Sequence, residues 1–190
     1  MTTFININKE KKEHLTFDKP GKYVVYIKNL SGNFTFEITT PGVELEIFGL
    51  YIGKGDEIFN IHTTQLHKAP SSTSNLFIKG VFDDESKFHY EGLVRIEKNG
   101  QKSHAYQKNM NLILSSKTFV ESKPYLEILT NDVFCTHGST TGKLNKEQLF
   151  YAKSRGLDEK KAEQLLVEGF INEVYDKVKE KVPNFAYENS

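Results

Sequence analysis

A chain of 190 residues, with 25 Lys and Arg against 25 Asp and Glu, has room for one domain with an appendage and carries no net charge. That balance argues against a dedicated nucleic-acid binder, which needs a basic excess to neutralise phosphates, and no apolar run approaches the roughly 18 residues of a membrane span. The one cysteine excludes an intrachain disulfide, and the start Met1-Thr2-Thr3-Phe4 lacks the basic end and apolar core of a signal peptide; a reduced, cytoplasmic protein without a membrane partner is expected.

Taken in chain order, the first two thirds predict strands. Phe34, Phe36 and Ile38 alternate with Asn33, Thr35 and Glu37, and Val43, Leu45 and Ile47 with Glu44 and Glu46. Val94 and Ile96 flank Arg95, Leu112 and Leu114 follow Asn111, and Leu126 and Ile128 flank Glu127. Period two of this kind marks half-buried strands. Breaks fall at Lys19-Pro20-Gly21, Ser31-Gly32, Pro41-Gly42, Gly53-Lys54-Gly55 and Asn99-Gly100, the last a tight-turn signal. Short strands recurring along the whole segment fit a sandwich, a barrel or a β-solenoid, and periodicity alone does not choose among them.

The tail changes character near residue 145. Asn145 can cap a first helix, with Gln148 at its third position, and Gly156 ends it. Asp158 can cap a second, in which Ala162, Leu165, Leu166, Gly169, Phe170, Val174 and Val178 make an apolar or small stripe expected to pack on the first helix. Pro183 stops it, and the residues beyond read as a loose end.

Three readings compete for Cys135 and His137. Two residues apart on an extended segment, they share a face. Cys135 can be a buried small hydrophobe with His137 serving a hydrogen bond; the two can be ligands of iron or zinc; or Cys135 can be a nucleophile with His137 as base, although no oxyanion-hole signature accompanies them. Metal centres usually need four ligands, so two donors call for more from elsewhere. His62 and His67, five apart, fall on opposite faces of a strand and make a poor chelate, while His89 and His104 stand isolated. In the tail, Phe150 lies beside Tyr151, and Tyr151 and Arg155, one turn apart, share a helix face.

Several strings, all in order, resemble those of the SufB/SufD family, the scaffold proteins of SUF-type iron–sulfur cluster assembly. His67-Lys68-Ala69-Pro70-Ser71-Ser72-Thr73-Ser74 is similar to H-x-A-P-x-T-x-S, and Lys79-Gly80-Val81 to K-G-V-L. Phe88 to Gly92 stands where the family shows F-x-G-x-I, and Ala105-Tyr106-Gln107 with Asn111 to Ser115 resembles A-x-Q followed by N-L-L-L-S. Pro124 to Ile128 follows P-x-L-E-I, Asp132 to Gly138 follows D-V-x-C-S-H-G, and Gln148 to Tyr151 with Ser154-Arg155-Gly156 follows Q-x-F-Y and S-R-G.

The resemblance implies a mainly β protein: a right-handed parallel β-helix (β-solenoid) over residues 1–142, a C-terminal pair of α-helices over 143–182, and a loose tail over 183–190. The Cys-Thr-His-Gly form of Cys135 to Gly138 looks like a short SufD-like member. By the same resemblance the chain is expected to be a scaffold and not an enzyme. Cys135 and His137 are its expected metal- and cofactor-binding residues, for a transient iron–sulfur cluster that a partner subunit completes. The expected partners are a SUF-type ABC ATPase, SufC, and a SufB-like subunit or a second copy of the chain, with Phe150, Tyr151, Arg155 and Gly156 as partner-binding residues. The alternatives are a metal-free structural solenoid that docks the ATPase, or a small cysteine-nucleophile hydrolase.

Overall fold

The computed structural model describes residues 2–186. Strand β1 (Thr2–Asn6) passes through a single helical turn, α1 (Ile7–Glu10), into β2 (His14–Phe17) and β3 (Gly21–Lys28). There follow β4 (Gly32–Ile38), β5 (Val43–Gly53), β6 (Ile58–His67), β7 (Thr73–Phe82), β8 (Lys87–Ile96), β9 (Ser103–Ile113), β10 (Phe119–Ile128) and β11 (Val133–Gly142). The odd strands form one sheet, in the order β1-β3-β5-β7-β9-β11, and the even strands a second, β10-β8-β6-β4-β2. Every neighbouring pair is parallel. The chain thus alternates between two facing sheets and climbs one rung at a time, a parallel β-solenoid. Each step from one strand through the opposite sheet to the next is a parallel crossover, the kind that is right-handed in nearly all proteins.

Period two is what makes this wind possible. Parallel strands in register stack inward residue on inward residue: Leu45 pairs with Ser74, which in turn pairs with Ala105, and Phe36 with Gln65, which in turn pairs with Val94. The lumen of the early rungs is filled by Leu15, Phe17, Val25, Ile27, Phe34, Phe36, Ile38, Leu45 and Ile47, all buried. Each such side chain contributes roughly 1.5–3 kcal/mol by leaving water. Asn99-Gly100 does turn the chain, with the Gly100 amide donating to the Glu97 carbonyl at 2.8 Å, but it turns a corner between the sheets; β8 and β9 do not pair as a hairpin.

The tail folds back over the outer face of the odd-numbered sheet. Helix α2 (Lys146–Ser154) is capped by Asn145, whose side chain accepts from the amides of Glu147 and Gln148, and α3 (Glu159–Lys181) by Asp158. Gly156 follows α2 at φ +94, the left-handed position that favours glycine. The apolar stripe of α3 divides its duties. Val174 and Val178 pack on Val24, Tyr26, Phe48, Leu50 and Phe77 of the sheet and not on α2, whereas Leu165 stays exposed. Lys79 on β7 lies beneath the helix, 2 % exposed; its ammonium donates to the Phe170 carbonyl at 2.9 Å, pairs with Glu173 and sits 3.9 Å from the Phe170 ring centroid. Burial lowers the Lys79 pKa and the Glu173 carboxylate opposes that shift. Beyond Pro183, Phe185 is buried against Phe4 and Tyr26, with centroids at 5.6 and 5.1 Å. The stretch expected to be loose therefore holds an apolar anchor; residues 187–190 lie outside the described residues.

Candidate functional site

Strand β11 is the last rung of its sheet. Cys135 is in register with Ala105 and His137 with Gln107, both buried and inward-facing on β9. Cys135 and His137 therefore face the same way, into the lumen, as their spacing predicts. Phe134 and Thr136 face outward beside His104 and Tyr106, and the rings of Phe134 and His104 lie 6.0 Å apart. No rung covers β11 among the described residues, so the inward row opens to solvent: Cys135 is half-buried against Val94, Ile96 and Ala105, and His137 is exposed. Burial pushes the Cys135 thiol pKa up, against a backbone hydrogen bond from Ala105. A thiol so placed is a poor spontaneous nucleophile and becomes a thiolate most readily when a cation takes its proton's place.

Behind this mouth the lumen is polar. The inward row of β9 reads Ser103, Ala105, Gln107, Asn109 and Asn111, and all five are buried. Asn109 and Asn111 exchange hydrogen bonds, with Asn111 Nδ2 donating to Asn109 Oδ1 at 2.6 Å. On β6, Gln65 Nε2 donates to Ser74 Oγ at 2.7 Å and His67 Nε2 shares the same hydroxyl, also at 2.7 Å. Burial lowers the His67 pKa to about 4. Gly92 makes room for this network, since a Cβ there would collide with Tyr90 Oη and Gln107 Nε2. His62 faces outward beside Glu91 at 3.3 Å, on the opposite face from His67 as the odd spacing predicts. His89 faces outward beside Glu121 at 3.6 Å, and His104 is exposed. No group of three or more His, Cys, Asp or Glu side chains suited to a metal ion occurs among the described residues.

The tail residues gather elsewhere. Arg155 Nη2 donates to Tyr151 Oη at 3.1 Å and the guanidinium lies 5.2 Å from the ring centroid, so the two share a face. Tyr151 is 60 % and Phe150 75 % exposed, so Phe150 belongs to no core. Tyr151, Arg155, Ala152, Leu157, Leu165 and Leu166 line an apolar hollow of about 440 Å³ between α2 and α3.

The profile described as "SUF system FeS cluster assembly, SufBD core domain" matches residues 25–170. The chain belongs to the SufB/SufD family. It is 27 % identical over 152 residues to the iron–sulfur cluster assembly protein SufD of Escherichia coli and 30 % over 150 residues to that of Bacillus subtilis. It is 33 % identical over 133 residues to a SufBD family protein of Synechocystis. These matches take in 80 %, 79 % and 70 % of this chain but only 36 %, 32 % and 29 % of the relatives, so the chain spans about a third of their length. The family match includes both the end rung and the α2–α3 hollow. The family's description and the names of these relatives are those of iron–sulfur cluster assembly proteins. No helix among the described residues is long and apolar enough to cross a membrane. Gln107 and Lys79 stand in the strings Ala105-Tyr106-Gln107 and Lys79-Gly80-Val81, where the sequence assigns neither a role of its own. The signal for Gln107 was a polar residue in the inward phase of an alternating strand, two places from Ala105.

Proposed function

We propose that this SufB/SufD chain is a scaffold subunit for SUF-type iron–sulfur cluster assembly and not an enzyme in its own right. The observation that carries this reading is the pairing of Cys135 and His137 side by side in the inward row of an uncovered last rung. Iron and sulfide are cargo at this site. Thiolate and imidazole both suit iron, and two donors leave positions for a second subunit to fill. That subunit, SufB-like or a second copy of this chain, would pair on the edges of β10 and β11. A SufC-type ABC ATPase would dock on the α2–α3 hollow through Phe150, Tyr151, Arg155 and the turn at Gly156. Reduced thiol chemistry of this kind belongs in the cytoplasm. The raised thiol pKa speaks against the cysteine-hydrolase alternative.

The test is anaerobic reconstitution with ferrous iron and sulfide, alone and with a SufB-like subunit, followed by visible absorbance. Charge-transfer bands that depend on Cys135 and on His137 are the expected result. Bands unchanged in both Cys135→Ala and His137→Ala would end the assignment. Pull-down of the ATPase by the full chain, but not by one ending at Leu144, is expected for the tail.

A further inference from the structure

Gln107 occupies an unusual position. It is 1 % exposed, and its Nε2 donates across the lumen to the Gly92 carbonyl at 3.3 Å. That bond fixes which way the amide is turned, because the opposite orientation would set two acceptors together. Its Oε1 is left buried and without a hydrogen-bond partner among the described residues, which is costly for an acceptor unless something comes to meet it. The register puts His137 on the next rung directly over Gln107, about 4.8 Å away by strand spacing. His137 makes no hydrogen bond to a described residue, and its imidazole faces the same side as Gln107.

We infer that Gln107 is the positioning residue of His137: its Oε1 accepts the imidazole N–H when His137 binds metal. A neutral imidazole has one N–H and one lone-pair nitrogen. Anchoring the N–H on a buried, preoriented acceptor fixes the tautomer and leaves the other nitrogen's lone pair for the metal. Metal-bound histidines generally donate the other ring N–H to an oxygen acceptor, a carboxylate, a backbone carbonyl or water, and the Gln107 amide oxygen supplies such an acceptor here. Gly92 is part of the device, since any side chain there would displace the amide. The inference rests on the reading of Cys135 and His137 as ligands.

Zinc serves as the probe because it is closed-shell and binds thiolate and imidazole without redox chemistry. The full chain is titrated with Zn²⁺ under reducing conditions, and the His137 ring N–H is followed by proton–nitrogen NMR. Wild type is expected to bind zinc with an N–H that exchanges slowly with water. Gln107→Leu, which removes the acceptor at similar volume, should weaken zinc binding about 10–100-fold and lose the slow N–H. Gln107→Glu, which keeps an acceptor, should retain it, even if its affinity differs through charge. Equal zinc affinity and an equally slow N–H in Gln107→Leu would overturn the inference, leaving a buried water as the partner of Oε1. If Cys135→Ala and His137→Ala abolish zinc binding while Gln107→Leu does not, only the positioning role fails. Should neither alanine variant change it, the ligand reading itself falls and takes this role with it.

Discussion

The two ends of the solenoid are built on opposite plans. At the N-terminal end the strands are short and the helical turn α1 folds over them. Ile7, Leu15 and Phe17 are buried there, and Asn8 bonds the backbone of Lys28 through both ends of its amide, at 2.6 and 2.8 Å. The C-terminal end stops on two strands of ten residues, β10 and β11. It shows Phe119, Tyr125, Leu126, Leu129 and Phe134 to solvent, with Phe134 63 % exposed. Long, flat, apolar edges invite pairing with another chain, and proteins usually blunt them. One end is covered by a helical turn and the other exposes apolar strand edges among the described residues, and the Cys135–His137 row lies at the exposed end.

The sharpest break of this contrast is at the closed end. Phe17→Ala removes a ring packed against Tyr23 at 4.9 Å between centroids and should cost about 3–5 kcal/mol of stability. Chemical denaturation reads it directly. A loss under about 1 kcal/mol would mean that the N-terminal rung is frayed and the two ends are not different in kind.

Much of this was legible because alternation is a local signal. The spacing of Phe34, Phe36 and Ile38, and of Leu45 and Ile47, puts each set on one face of its strand, and they fill the lumen. The faces of His62 and His67, and of Cys135 and His137, came from counting by twos. The remainder depended on long-range partners. Val174 and Val178 read as one stripe with Leu165 and Leu166, yet the sheet takes the first pair because Phe48, Leu50 and Phe77 offer an apolar outer face that only the folded rungs assemble. Phe185 follows a helix-stopping proline, and nothing local announces that it returns to Phe4 and Tyr26. Lys79 is charged in sequence and buried in the fold because a glutamate 94 residues away meets it.

The interior offers the next test. His67 is neutral in the folded chain, with its pKa depressed from 6.5 to about 4. A depressed pKa contributes stability that is intact above the unfolded value, near 6.5. That stability drains as pH falls toward 4, because the unfolded chain takes up a proton that the folded one refuses. The window predicts a loss of about 3 kcal/mol across it. Denaturation midpoints followed from pH 7 to 4.5 should fall in wild type and fall less in His67→Gln. Parallel slopes in the two proteins would place the acid sensitivity elsewhere.

The clamp between sheet and tail should respond asymmetrically. Glu173→Ala leaves the Lys79 ammonium buried with only the Phe170 carbonyl and ring, at a cost of about 1–3 kcal/mol. Lys79→Met leaves a carboxylate that is 44 % exposed and open to water, so its cost should stay below about 1 kcal/mol. Thermal unfolding of the two variants side by side decides it. The reverse order would show that the lysine stem's packing, and not its charge, seats α3.

The smallest stability effect belongs to the open end. Phe134→Ser and Leu126→Ser remove apolar groups already facing water on a rung with no strand above it among the described residues, so each should change folding stability by no more than about 0.5 kcal/mol. If β10 and β11 are the pairing edge, the same variants should shift a subunit pair toward single chains, because exposed apolar groups gain their energy only when a partner covers them. Sedimentation of wild type and the double variant, alone and with a SufB-like subunit, separates the two quantities. A variant with unchanged folding and lost pairing is the expected outcome. Unchanged pairing would move the interface off this end, and a large loss of folding stability would show that the last rung, exposed as it is, is holding the solenoid together.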